Sequence, residues 1–218
     1  MLDLHTHSLF SDGELLPAEL ARRAEVLGHN YLAITDHAGP SNLGWVVEGA
    51  LKAAAELNGH LSCVIIPGVE LTHVPPRLIA PLAQRARDLG AKWVVVHGQT
   101  VVEPVAPGTN QAALEAGVDL LAHPGLLTAD QAALAARQGV ALELSYRSGH
   151  CLANGLVAAL GRRAGAKLVV NSDAHAPRDL MSLDLARAVA LGAGLQPQEW
   201  DRLQEEALQL AAEAAART

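Results

Sequence analysis

Leu2-Asp3-Leu4-His5-Thr6-His7, with Ser11-Asp12-Gly13 just beyond it, is the stretch on which the reading of this chain turns. Side chains alternate between the two faces of a strand, so His5 and His7 point the same way, roughly 7 Å apart along the backbone. Two imidazoles so placed can close on one divalent ion. Taken alone, a His-x-His pair is equally an ordinary feature of a strand end. What gives it weight is that later apolar runs end in residues of the same kind.

After the first strand, Leu2 to His5, a helix spans Leu16 to Leu27, with Pro17 near its first turn and Gly28 as its stop. Tyr31 to Thr35 is a second strand entering Asp36-His37, followed by a helix from Leu43 to Leu57. The apolar, β-branched run Leu61 to Val69 ends at Glu70 and leads through Thr72-His73 to a helix from Leu78 to Leu89. Lys92 to Val96 ends at His97. The loop from Gln99 to Thr109 is long, rich in Pro and Gly, and carries Glu103; loops of that length in compact domains are often functional. A short helix, Asn110 to Ala116, precedes the strand Asp119 to Ala122, which ends at His123. Thr128 caps a helix to Gln138. Val140 to Leu144 contains Glu143 and enters Ser145-Tyr146-Arg147-Ser148-Gly149-His150. A helix from Leu156 to Arg163 leads to the strand Lys167 to Val170, which runs into Asn171-Ser172-Asp173-Ala174-His175. Two helices, Leu180 to Leu191 and Pro197 to Ala216, follow. The last is polar on one face, as expected of an outer helix.

Seven strand-helix units in about 200 residues predict a closed or nearly closed parallel barrel, a single domain over residues 1–218, with a doubly wound open sheet as the alternative. In either fold, chemistry gathers at the carboxyl ends of the strands. The landmarks His5, Asp36, Glu70, His97, His123, Glu143 and Asp173 lie 31, 34, 27, 26, 20 and 30 residues apart, one per unit. His29 and His60 break the rule. Both follow a helix-stopping glycine at the opposite rim and are read as surface or turn residues. Burying several carboxylates together without cations is very costly, and a cluster of metal ions relieves that repulsion.

Half of the 218 residues are apolar and only 3% are aromatic, which suits alanine-, leucine- and valine-rich helices on a buried parallel sheet. The net charge of -7 offers no broad positive field and argues against long nucleic acid as a partner. Cys63 and Cys151 make neither a metal-type spacing nor a disulfide framework, so a reducing compartment is expected. With no leader-like start and no apolar run approaching 18 residues, a cytoplasmic location is expected.

Taken in order, LDLHTHSLFSDGE, ITDHAG, PGVELTH, VVVHGQT, LLAHPG, LELSYRSG and VVNSDAHAP resemble the successive motifs of the polymerase and histidinol phosphatase (PHP) family of metal-dependent phosphoesterases. The resemblance runs from Asp3 to about His175. It implies a distorted (β/α)7 barrel of the TIM-barrel kind with two or three divalent ions, Zn, Mn or Fe. One would be held by His5, His7, Glu70 and Asp173, a second by Glu70, His97 and His123 with Glu70 as the bridge, and a third by Asp12, His37 and His175. Family members vary between Asp and His at the Asp12 position. A carboxylate shared by two ions holds them roughly 3.5 to 4 Å apart, the spacing used for in-line displacement at phosphorus, so the nucleophile would be a metal-bridged hydroxide. Glu70, Asp173 and His175 would then act in catalysis through the ions. Arg147, His150 and Arg178 follow strands on the active rim and are the candidates for binding substrate, since a planar guanidinium clamps phosphate well. Arg77 is a further cation there.

The expected function is hydrolysis of a small phosphate monoester, histidinol phosphate or a nucleotide among the candidates. A phosphodiesterase or 3'-5' exonuclease on short nucleic acid is the alternative within the class. An amidohydrolase-type enzyme also opens with His-x-His, but typically adds a carboxylated lysine at the end of strand four, where this chain has His97; Lys92 and Lys167 sit at strand starts. A non-catalytic metal-binding accessory domain is the fourth reading, against which all nine matched ligand positions are filled.

Overall fold

Apolar runs bounded by glycines and asparagines become the strands of a parallel sheet in the computed structural model, which describes residues 1–217. In chain order these are β1 (Leu2–Thr6), α1 (Pro17–Val26), β2 (Tyr31–Ile34), β3 (His37–Ala38), α2 (Leu43–Leu57), β4 (Val64–Leu71), α3 (Pro76–Asp88) and β5 (Trp93–His97). They are followed by α4 (Thr109–Glu115), β6 (Leu120–Ala122), α5 (Ala129–Gln138), β7 (Ala141–Ser145), α6 (Asn154–Ala164), β8 (Leu168–Asn171), α7 (Leu183–Gly192) and α8 (Pro197–Ala216). Strand order is β1-β2-β4-β5-β6-β7-β8, all parallel, with β3 pairing only with β4.

The result is a nearly closed barrel of seven main strands with alternating helices. Its seam lies between β8 and β1. There the His7 N–H donates to the Ala174 carbonyl at 2.9 Å and the Asp173 N–H to the His5 carbonyl at 3.0 Å. Side chains complete the seam: Asn171 Oδ1 accepts from the Leu4 N–H at 2.9 Å, and Asp3 accepts from the Ser172 N–H. Burial pushes the Asp3 carboxyl up to about 7, against the hydrogen bonds from Ser172 and His5 that favour its charge.

Period-two alternation sorts the interior. Val94 and Val96 of β5, Leu121 of β6, Leu142 and Leu144 of β7 and Leu168 and Val170 of β8 pack outward against the helices. Trp93, Val95, Leu120, Ala141 and Val169 turn inward and form a second cluster with Ala207, Leu210, Ala211 and Ala214 of α8. One step of two residues further along each strand, the inward position becomes polar: Val95 is succeeded by His97, Ala141 by Glu143, Val169 by Asn171. The same face is thus apolar at its base and chemical at its mouth. Trp93 crosses the base, its indole N–H donating to the Leu4 carbonyl at 3.0 Å.

Several expectations need correction. The last helix is not an outer helix over its second half: Lys92 Nζ reaches the Ala215 carbonyl at 3.1 Å and Arg217 reaches the Lys92 carbonyl at 2.8 Å, so α8 lies across the strand starts and seals the base. His29 is not a surface residue. It is buried, with Nε2 at 3.0 Å from the Met181 carbonyl, while His60 is exposed as expected. The third main strand begins at Val64 rather than Leu61, because the Asn58 side chain caps the preceding turn through Ile65. That strand also continues through Glu70 to Leu71, where β3 pairs His37 with Glu70. The helix expected from Leu180 begins at Leu183, where the Ser182 hydroxyl accepts from the Leu185 N–H.

Gly98 sits where β5 leaves the sheet, and a Cβ there would lie 2.2 Å from the Ala122 carbonyl oxygen. Gly98→Ala is expected to cost about 1–3 kcal/mol, whereas Gly44→Ala, with open space around it in α2, should gain about 0.5 kcal/mol. Thermal melts of the two variants check this, at about 2–4 °C per kcal/mol for a chain of this size.

Candidate metal centre

Glu70 lies at the centre of the mouth, fully buried. Its Oε1 is 3.3 Å from His5 Nε2, 3.3 Å from His97 Nδ1 and 3.8 Å from His123 Nε2. Its Oε2 faces His37 Nδ1 and lies 4.0 Å from His7 Nε2. Asp173 faces it from β8, with Oδ1 at 3.2 Å from His7 Nε2 and 3.9 Å from His5 Nε2, and Oδ2 at 3.6 Å from His123 Nε2. On the outer side Asp12 Oδ1 lies 3.4 Å from His37 Nε2 and 3.2 Å from His175 Nε2. All nine residues singled out as ligands in the sequence therefore meet in one cluster. Their donor atoms fall into overlapping sets: His5, His7 and Glu70; His5, His123 and Asp173; Glu70, His97 and His123; and His7, Asp12, His37 and His175.

Local structure explains these positions. The loop carrying Asp12 is tied down by Asp36, whose carboxylate accepts from the Ser8 N–H at 2.8 Å, the Ser8 hydroxyl at 2.7 Å and the Ser11 hydroxyl at 2.6 Å. Asp36 thus organises the loop rather than the His37 ring. Gly13 has no room for a side chain, since a Cβ would lie 2.4 Å from the His7 carbonyl oxygen. Among the described residues the non-glycine residues with left-handed backbone are His73 (φ 51°), His123 (φ 27°) and Asp173 (φ 54°). Each such conformation costs about 1–3 kcal/mol and persists where the surroundings impose it. Here all three line the mouth.

The charges are strongly coupled. Burial opposes ionisation of Glu70, but His5, His37 and His97 outweigh it and hold the carboxyl well below its usual range. Burial disfavours a charged His5, yet Glu143, Asp173 and Glu70 hold its pKa well above the ordinary value. Burial together with neighbouring imidazoles pushes His7 and His123 well below theirs, which disfavours their charged forms. Burial lifts Asp173 to about 7, and His175 and His37 bring Asp12 down to about 2 against its partial burial. Among the described residues ten buried side-chain nitrogens and oxygens lack a hydrogen-bond partner, and eight belong to His5, His7, Glu70, His97 and His123. Buried polar atoms are nearly always satisfied. Eight exceptions on five neighbouring imidazole and carboxylate side chains fit divalent metal ions.

Glu143 is an orienting group. Oε1 meets His5 Nδ1 at 2.8 Å and accepts from Asn171 Nδ2 at 2.9 Å, while Oε2 accepts from the His123 N–H at 2.9 Å. It fixes two putting-in points at once: the ring of His5, whose Nε2 is turned to Glu70, and the backbone of His123. Arg147 lines the mouth, its Nη1 3.2 Å from the Asp173 carbonyl and 2.6 Å from His175 Nδ1. His150 is buried beside it, Nδ1 2.7 Å from the Thr100 hydroxyl, and burial pushes its pKa down to about 4. Arg178 is set apart. It is 78% exposed, near Glu14 and Asp179, and borders a neighbouring cavity of about 550 Å³ that also reaches Arg147. Arg77 is exposed on α3. The sequence left the roles of Glu103 and His73 open; the structure turns both into the mouth, a cavity of about 270 Å³ shared with Arg147 and His150. The length of the loop carrying Glu103 was the available signal.

A parallel barrel whose inward strand positions deliver imidazoles and carboxylates to one mouth defines a metallohydrolase-type protein. The sequence profile of the PHP domain matches residues 3–146, and the chain belongs to the PHP domain family. It is accordingly a metal-dependent hydrolase acting on phosphate esters. An uncharacterized protein of Methanocaldococcus jannaschii is 48% identical over 199 residues, covering 90% of this chain and 91% of that protein. Among solved structures, histidinol phosphate phosphatase from Lactococcus lactis, complexed with zinc, L-histidinol and phosphate, is similar with TM-score 0.59 at 19% identity, over 89% of this chain and 94% of that one. A chain of archaeal ribonuclease P with mature tRNA is similar with TM-score 0.71 at 16% identity, over 98% of this chain and 91% of that one. At these identities the likeness is one of fold. Among the described residues no lysine joins the cluster: Lys92 and Lys167 lie at the sealed base.

Glu143→Gln keeps the shape of the side chain and removes its charge. Metal affinity of the purified protein, measured by competition with a chelator, is expected to fall about 10- to 100-fold, with the fold retained by circular dichroism.

Proposed function

We propose that this protein is a phosphomonoesterase for a small phosphorylated metabolite, working with two or three divalent ions. The observation that carries the metal dependence is that His5, His7, Glu70, His97 and His123, grouped in one mouth, hold eight buried side-chain donor atoms without a hydrogen-bond partner. On this reading His5, His7, Glu70 and Asp173 hold one ion, Glu70, His97 and His123 a second, and Asp12, His37 and His175 a third. Ions so held acidify water and draw charge from a phosphoryl group. The mouth supports a small substrate. Its cavity is about 270 Å³, and the net charge of -7 gives no field to track a long polyanion.

The chain's own residues have distinct tasks. Glu70 bridges two ions and Asp173 faces it across the mouth. Arg147, 34% exposed and beside Asp173 and His175, binds the non-bridging oxygens of the phosphate as a planar donor. His150 lines the same mouth. Arg178, on the neighbouring cavity, meets the alcohol portion of the ester. The imidazole and carboxylate donors suit Zn, Mn or Fe. That the similar Lactococcus lactis protein is a histidinol phosphate phosphatase with zinc supports both the reaction and the class of substrate.

A panel of phosphomonoesters, phosphodiesters and short oligonucleotides, assayed with Mn or Zn, tests the reading. Monoesters are expected to turn over fastest, and a diester or oligonucleotide preferred by tenfold or more would overturn it. Arg147→Ala should lower kcat by about 10²- to 10³-fold. Glu70→Ala should abolish turnover and remove more than one ion per chain; loss of a single ion with activity intact would refute the bridge.

A further inference from the structure

A second group of donors lies on the outer lip of the same mouth. Glu103 Oε2 is 3.1 Å from His73 Nε2 and 3.0 Å from His97 Nε2, and Glu103 Oε1 is 3.3 Å from His150 Nε2. None of His73, Glu103 or His150 belongs to the nine residues assigned above. The His97 ring stands between the two groups. Its Nδ1 faces Glu70 and its Nε2 faces Glu103, and both nitrogens are buried without an aligned hydrogen bond. One carboxylate oxygen is approached by two imidazole nitrogens, that of His73 at hydrogen-bonding distance, and the three donor atoms lie within 4.8 Å of one another, compatible with a shared ion. Ligand atoms about 2.1 Å from an ion and 90–109° apart lie about 3.0–3.4 Å from each other.

Two further observations point the same way. His73 has the left-handed backbone otherwise found, among non-glycine described residues, at His123 and Asp173, so its ring is held in place at the same kind of cost as two of the inner donors. The Glu103 loop is also locked rather than draped. Asn110 Oδ1 accepts from the Gln99 N–H at 2.8 Å, Gln99 Oε1 accepts from the Asn110 N–H at 3.1 Å, and Asn110 Nδ2 reaches the Pro124 carbonyl at 2.8 Å. A Cβ on Gly125 would lie 2.0 Å from the Gln99 carbonyl oxygen, which shows how closely the loop base is seated.

We propose that His73, His97 and Glu103 form an outer divalent-cation site at the mouth, additional to the ions held by the buried set and joined to them through His97. His97 would serve both groups, Nδ1 on the Glu70 side and Nε2 on the Glu103 side, and holding ions at both nitrogens would require loss of its N–H proton to solvent. His73 and Glu103 are part-exposed, so the outer ion exchanges with solvent more readily than those held around Glu70. The proposal shares His97 with the preceding reading and otherwise stands on separate residues.

Protein stripped of metal and titrated with Zn²⁺, followed by calorimetry and metal analysis, tests it. Wild type should bind one ion per chain more than either His73→Ala or Glu103→Gln, while both variants keep the same inner count and the same melting temperature. His123→Ala should lose inner ions and retain the outer one, seen as a further loss when Glu103→Gln is added. Equal stoichiometry and affinity in wild type, His73→Ala and Glu103→Gln would overturn the outer site and leave the inner reading standing. Failure of wild type to bind any ion would overturn both. If ion binding is identical but Glu103→Gln raises KM only for phosphomonoesters bearing an amino group, the carboxylate reads substrate and the outer site is likewise overturned.

Discussion

Everything at the mouth of this barrel depends on one electrostatic constraint, the full burial of the Glu70 carboxylate. Taking an ionised carboxylate out of water is expensive unless opposite charge or hydrogen bonds replace the hydration. Glu143 and Asp173 enter the same volume, which adds repulsion among like charges. Three carboxylates can share it only because imidazoles surround them and divalent ions complete the balance. The histidines are therefore as much a condition for the carboxylates as partners to the metal.

The barrel meets this demand by keeping apolar and polar chemistry on one face of each strand at different heights. Inward residues pack on α8 at the base, and the next inward residue up the strand carries a ligating or orienting group. A slip of one residue in register would turn His97, Glu143 and Asn171 outward into the helix layer. The register is held by the outer cluster, and Trp93 ties the base of β5 to β1 across the interior. Stability and chemistry thus draw on the same alternation.

Much of this could be read from the chain. Apolar runs ending in His5, Glu70, His97, His123 and Asp173 recur once per unit, and a recurring period announces both the parallel strands and the end at which chemistry collects. What escaped had no local signal. His29 follows a glycine stop, as a surface residue would, and its burial depends on a carbonyl of Met181, 152 residues away. β3 has two residues and exists only because β4 continues past Glu70. The course of α8 across the base depends on Lys92 and Arg217, which in sequence look like ordinary surface cations. Glu103 faces the mouth because Asn110, Gln99 and Gly125 fix its loop, a relation among residues that no single motif displays.

The seal made by α8 also governs traffic. With the base filled by Leu210, Ala211 and Ala214 against Leu120 and Val169, the described residues leave no rear exit from the barrel, and any substrate and its products would pass through the mouth. On the reading proposed above, in which Arg147 binds the phosphoryl group, the same side chain would meet the incoming ester and the departing phosphate, so release of one and capture of the next would be mutually exclusive. On that reading, a one-door barrel is open to product inhibition by its own geometry.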